Sequence, residues 1–186
     1  MRLTGTWLTL LALCGALPLC GALQGARPTV PGADNVWHRE WITHMDRSLR
    51  KLTGSALMPR TPPGAGECSA LASNSDLVVV SHGTEAPHPL FNFGTQGALD
   101  LWEVDWPTFV AMESRASAEE DERAERERLL ALVREQGYVD GYTGVRASST
   151  GQRFRVRDAL VWNVQNEDGE RLGQAAMFRR AEVEFL

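Results

Sequence analysis

The sequence predicts an α+β fold in which an antiparallel sheet carries helices packed on one face. Three observations lead there. Residues 138–180 read as three consecutive strands, 138–149, 153–165 and 170–180. The middle one alternates with period two: Phe154, Val156, Leu160, Trp162 and Val164 fall on one side, and Arg153, Arg155, Arg157 and Asn163 on the other. Such alternation is the mark of a strand with one dry and one wet face. Upstream, residues 37–52 and 117–136 carry apolar side chains at helical spacing and need a surface to cover.

The chain begins with Arg2 and an apolar run, Trp7 to Leu23, broken by Gly15 and Pro18. It resembles the h-region of a signal peptide more than a membrane span, with cleavage after Ala22 and Cys20 at the minus-three position. Residues 1–22 are therefore read as a signal or targeting peptide, and no stable membrane span is expected once it is removed. Residues 23–36 form a linker or a transit-like segment, containing Arg27, Thr29 and two prolines. Secretion and delivery to a plastid by a bipartite leader both fit. Cys14 and Cys20 leave with the leader, so Cys68 stays alone and no disulfide framework is expected.

Residues 37–52 form an amphipathic helix, with Trp37, Trp41, Met45, Leu49 and Leu52 on its stripe and Gly54 just past its end. It either packs on its own domain or offers its two tryptophans to a second copy. Residues 59–75, with three prolines and Cys68, read as a loop. Leu77 to Ser81 is a short continuous apolar run, hence a buried strand, and Leu90 to Asn92 is a second short strand. A short helix follows at 95–102, and Asp105 caps another that has Pro107 in its first turn.

The segment 117–136 predicts the longest helix. Ser117 and Glu120 give it a capping box and Gly137 stops it. Its apolar residues lie in the second half, so 121–128 reads as a solvated overhang with Glu/Arg pairs along it. The turns between the last three strands fix their register. A two-residue turn at Thr150-Gly151 sets Val145 opposite Val156 and Ala147 opposite Phe154. A three-residue loop, 167–169, sets Val164 opposite Leu172 and Leu160 opposite Ala176. The dry face then holds three polar residues, Thr143, Asp158 and Gln174, which need partners or line a cavity.

Composition excludes some functions. The chain has 186 residues and a formal net charge of −5, which gives no electrostatic footprint for nucleic acid. The Arg-rich side of 153–157 reads as a solvated face balanced by nearby acids. His82, Glu85 and His88 recur at three-residue intervals, but Gly83, Pro87 and Pro89 prevent a continuous helix there, so no metal site is assigned. No nucleophile elbow, phosphate loop or paired cysteines are present. His82, Glu85 or Asp158 could serve as a general base in a pocket, yet nothing positive identifies an enzyme.

Several segments carry a resemblance. Val79-Val80-Ser81-His82-Gly83-Thr84-Glu85, Phe91-Asn92-Phe93-Gly94, residues 144–154, Val161-Trp162-Asn163 and Gly173-Gln174-Ala175-Ala176 resemble the MEKHLA family. The resemblance covers roughly 37–180 and leaves 181–186 as a C-terminal tail. Ala116 departs from it, standing where a basic residue is usual, and so does a loop at Pro87-His88 that is one residue longer. MEKHLA domains stand alone in bacteria and algae or follow homeodomain-leucine zipper segments in plants; no such segment is present here, so a transcription role is not carried over.

The resemblance implies a PAS-like five-stranded antiparallel sheet with helices on one face and a cavity between them. It implies a sensory or ligand-binding module, with a pocket formed by Asp158, Gln174, Thr143 and Trp162 on the sheet and Arg115 and His82 at its edge. Flavin photochemistry would need a cysteine on the helix beside the flavin, and haem commonly takes a histidine on the long helix. Neither residue is present in those places, so no cofactor is expected. A homodimer through the N-terminal helix is the alternative to a small-molecule ligand, and an enzyme of unknown reaction comes third.

Overall fold

The computed structural model describes residues 28–32, 36–118 and 122–186. The leader assigned to residues 1–22 lies outside them, and so do Glu120 and the side chain of Trp37. Helix α1 spans Val36–Thr53 and α2 spans Ala65–Ala72. Strands β1 (Leu77–His82) and β2 (Phe91–Gly94) follow, then α3 (Gln96–Trp102), α4 (Trp106–Phe109) and a 3-10 turn at Ser114–Ser117. Helix α5 (Arg123–Gln136) leads into β3 (Tyr138–Ala147), β4 (Arg153–Gln165), β5 (Arg171–Arg179) and β6 (Val183–Phe185). The strands form one antiparallel sheet in the order β2-β1-β5-β4-β3, with β6 also paired to β4.

Strand β4 does not keep one alternation from end to end. Asp158 sits in the left-handed region (φ 49°), and the strand slips there by one residue. Before the slip, Phe154 and Val156 face α3 and α4. After it, Ala159 and Val161 point to that side, while Leu160, Trp162 and Val164 turn to the opposite side and pack under α1 and α2. The single dry face expected from the sequence is therefore two buried faces, joined at a bulge. Apolar residues fall at 154, 156, 160, 162 and 164 either way, so the periodicity alone conceals the switch.

Helices accordingly cover both faces of the sheet. Helix α1 buries Trp41, Ile42, Met45 and Leu49 against Leu160, Trp162 and Val164. Removing side chains of this size from water stabilises by roughly 1.5–3 kcal/mol each. Two indoles fasten the contact: Trp41 Nε1 donates to Ser81 Oγ at 2.8 Å, and Trp162 Nε1 donates to the Met45 carbonyl at 3.2 Å. Asp46 is fully buried, accepting from the backbone of Leu57 and Met58 and pairing with Arg50, so it holds the chain leaving α1. From Trp41 to Leu52 the apolar stripe of α1 thus packs on its own domain. Helix α2 falls within the loop expected over 59–75; Gly64 and Glu67 start it, the Glu67 carboxylate accepting from Gly64 N at 2.6 Å, and it brings Cys68 into the α1 core.

Register follows the turns. Gly151 takes φ 87°, and Ser148 N bonds to Gln152 O, so the first hairpin has a three-residue loop. Ala147 then faces Arg153 and Arg146 faces Phe154, one residue away from the expected pairing. The second hairpin has the expected loop 167–169, closed between Asn166 and Glu170. A shift between Val164 and Gln165 then pairs Val164 with Gly173 and Leu160 with Met177. Residues 183–185, expected as part of a tail, form β6 along Phe154 to Val156. Glu184 there pairs with Arg155 and Arg157, which supplies the acid expected for that basic face.

Candidate functional site: a cavity between the sheet and helix α5

Helix α5 lies over β3 and β4, and its inward side chains recur at 126, 129, 130 and 133. Spacing of i, i+3, i+4 and i+7 places all four on one face. Three are Leu129, Leu130 and Val133, and the fourth is Arg126. The last turn is fixed by a polar row on the sheet. Asn163 Nδ2 donates to the Val133 carbonyl at 2.8 Å, and Gln174 Nε2 donates to Leu130 O and to Asn163 Oδ1, both at 3.1 Å. These bonds hold the C-terminal half of α5 to the sheet.

Toward the other end of α5 the packing is incomplete. A cavity of about 70 Å³ lies between the helix, the 3-10 turn and the sheet. Val80, Phe91, Val156, Val161 and Phe178 supply its apolar wall, with Leu129 from the helix. Into this wall are set His82, Arg126, Arg146, Tyr142, Ser117 and Gln174. Trp102 also lines it, and its buried Nε1–H has no partner among the described residues.

His82 ends β1 opposite Gln174, and 7% of it is exposed. Its Nδ1 lies 2.8 Å from the Gly83 carbonyl. A carbonyl can only accept, so the proton belongs on Nδ1 and Nε2 presents a lone pair. That Nε2 is buried and has no partner among the described residues. Burial lowers the His82 pKa to about 4, with the cations Arg126, Arg171 and Arg134 adding to the effect against the Gly83 bond. The ring is therefore neutral at ordinary pH.

Arg126 is 8% exposed, a guanidinium withdrawn from water. It donates to Ser114 Oγ at 3.1 Å, and no carboxylate among the described residues pairs with it. Burial first, then the neighbouring Arg146, lowers its pKa to about 10, so it keeps its charge. Arg146 lies over the Tyr142 ring at 5.5 Å and donates to Tyr142 Oη at 3.2 Å and to Val145 O at 2.7 Å. The cavity thus combines apolar walls, positive charge and one unused acceptor. Such an interior can recognise a small, polar, negatively charged molecule.

The MEKHLA domain model matches residues 39–183. The chain belongs to the MEKHLA domain family. No curated protein matches it significantly. Among solved structures, this MEKHLA domain is similar to RsLOV, in a variant form, at 12% identity and a TM-score of 0.50 over 60% of this chain and 64% of that one. It is also similar to the PAS domain of a protein from Colwellia psychrerythraea, at 11% identity and a TM-score of 0.49 over 63% of this chain and 91% of that one. Likeness at this level concerns the fold, which is PAS-like.

Within the MEKHLA domain, the residues singled out from sequence separate. His82 and Gln174 line the cavity. Trp162 is fully buried on the opposite face beneath α1. Asp158 and Thr143 are exposed, because the bulge at 158 and the register shifts of β3 turn them outward. Arg115 is half-buried, pairs with Glu113 at 2.6 Å and does not line the cavity.

Ser117 does not cap α5: it closes the 3-10 turn, donating to Ser114 O, and α5 begins at Arg123. Arg126, assigned from sequence to the solvated overhang, is instead buried. The signal that would have found it is the 126/129/130/133 spacing, in which a cation occupies an apolar position. Among the described residues no three His, Cys, Asp or Glu side chains come together as metal ligands, and no helix is long and apolar enough to cross a membrane.

Proposed function

We propose that this MEKHLA domain is a sensory module that takes a small molecule into the cavity between the sheet and α5. One observation carries the reading: the Nε2 of His82, buried in that cavity with no partner among the described residues. A buried acceptor without a partner costs roughly 1–3 kcal/mol, and a bound donor would offset it. The polar groups are few and converge on an apolar space, as ligand sites require.

Size limits the ligand. At about 70 Å³ the cavity is well below the roughly 300–1,000 Å³ of sites for cofactors and drug-sized molecules. Chemistry agrees, since Cys68 lies across the sheet in the α1 core, where burial raises its thiol pKa. These features disfavour a flavin or haem and favour a compact ligand.

Native mass spectrometry of the full chain, with thermal melting across a panel of small metabolites, tests the proposal. A bound species or a saturable rise in Tm is expected, and it should vanish in Ala159→Leu, which fills the cavity. A wild-type protein that is empty and answers to no panel member, with Ala159→Leu at least as stable, would overturn it.

A further inference from the structure

Three groups in the cavity ask for different things. Arg126 is a buried cation with no acid paired to it among the described residues, and a guanidinium in that position calls for a planar anion that takes two hydrogen bonds. Trp102 Nε1–H is a buried donor without an acceptor among the described residues. His82 Nε2 is a buried acceptor without a donor among those residues. A simple carboxylate would answer the first two and leave the third. An amine or alcohol would answer the third and leave the cation alone. A hydroxyl group beside a carboxylate answers all three, and the volume admits only a short chain.

We propose that the cavity takes a short-chain hydroxycarboxylate, its carboxylate held by Arg126 and its hydroxyl donating to His82 Nε2. Arg146 supplies a second positive charge at the same wall, held in place through Tyr142. The apolar lining accommodates the hydrocarbon part and excludes water from the ion pair, which strengthens it. This inference rests on the cavity being a ligand site and adds the class of ligand.

Titration calorimetry of the full chain at pH 7.5 tests it with four probes: lactate, propionate, lactamide and inorganic phosphate. Lactate should bind saturably, about five- to tenfold more tightly than propionate, the usual worth of one buried hydrogen bond. Lactamide, which keeps the hydroxyl and loses the charge, should bind at least tenfold more weakly than lactate. Arg126→Met should abolish binding of both acids, and Arg126→Lys should weaken it. His82→Phe should erase the preference for lactate over propionate.

The four probes on the wild-type protein decide the question even if a variant fails to fold. Lactamide equal to lactate, phosphate as tight as lactate, or no binding of any carboxylate would overturn the proposal. A neutral molecule found in the cavity by native mass spectrometry would also overturn it while leaving the cavity a ligand site. An empty cavity that answers to no probe at all would remove both readings.

Discussion

Asn163 and Gln174 meet across β4 and β5, the Gln174 amide donating to the Asn163 side-chain oxygen at 3.1 Å, and both reach on to carbonyls of α5. The wall of the cavity that carries Arg126 is therefore hung from a side-chain pair on the sheet.

Breaking this pair loosens the helix. Asn163→Leu should destabilise the fold by about 1–3 kcal/mol, because it leaves buried polar atoms short of a partner. Asn163→Leu combined with Gln174→Leu should cost less than the sum of the two, since each single change strands the other residue. Urea unfolding of the two single variants and the double variant measures the coupling.

At the β4 bulge, Asp158 holds φ 49° while exposed. Asp158→Gly should leave stability unchanged or raise it slightly, and Asp158→Val should cost about 1–3 kcal/mol from backbone strain. Thermal melts of the two variants distinguish this backbone role from a role of the carboxylate, which either change would remove equally.

Gly173 is fixed by contact. A methyl group there would lie 2.1 Å from the His82 carbonyl oxygen, which is backbone and has nowhere to move. Gly173→Ala should destabilise by about 1–3 kcal/mol or more and displace the end of β1. Loss of any lactate response together with a lowered unfolding midpoint would be the expected result.

Acid should weaken the fold from about pH 6.5 downward. His82 is neutral in the native state down to about pH 4, whereas an unfolded histidine takes up a proton near its ordinary value of 6.5. Between these two values the unfolded chain binds more protons, so stability is complete above about pH 6.5 and falls as pH drops toward 4. The full effect is about 3 kcal/mol. His38 and His44, also lowered by burial, act in the same sense. Unfolding midpoints at pH 7.5 and pH 5 should differ less in His82→Gln than in the wild type.

Much of the architecture is legible in the residues. The span of β4, the turn at 167–169, the Asp105 cap, which accepts from Thr108 N, and the stop at Gly137 all fall where the chain pattern puts them. The site is less legible. His82 and Gln174 stand out as polar residues within apolar segments, and the structure puts both in the cavity. Asp158 stands out for the same reason and is exposed, because a bulge leaves no trace in period-two spacing when both new faces are apolar. Arg126 hides among Glu and Arg neighbours, where only its register with Leu129, Leu130 and Val133 separates it from a solvated residue.

The left-handed kink at residue 158 lets one ribbon of chain furnish two separate interiors. Losing a single codon there would exchange their contents, sending the indole at 162 and the isobutyl group at 160 into the chamber beneath α5 and leaving smaller side chains beneath the first helix. The size of the chamber can therefore be adjusted over generations by exchanging its wall residues one at a time, whereas a change in the length of that ribbon would disrupt both interiors at once.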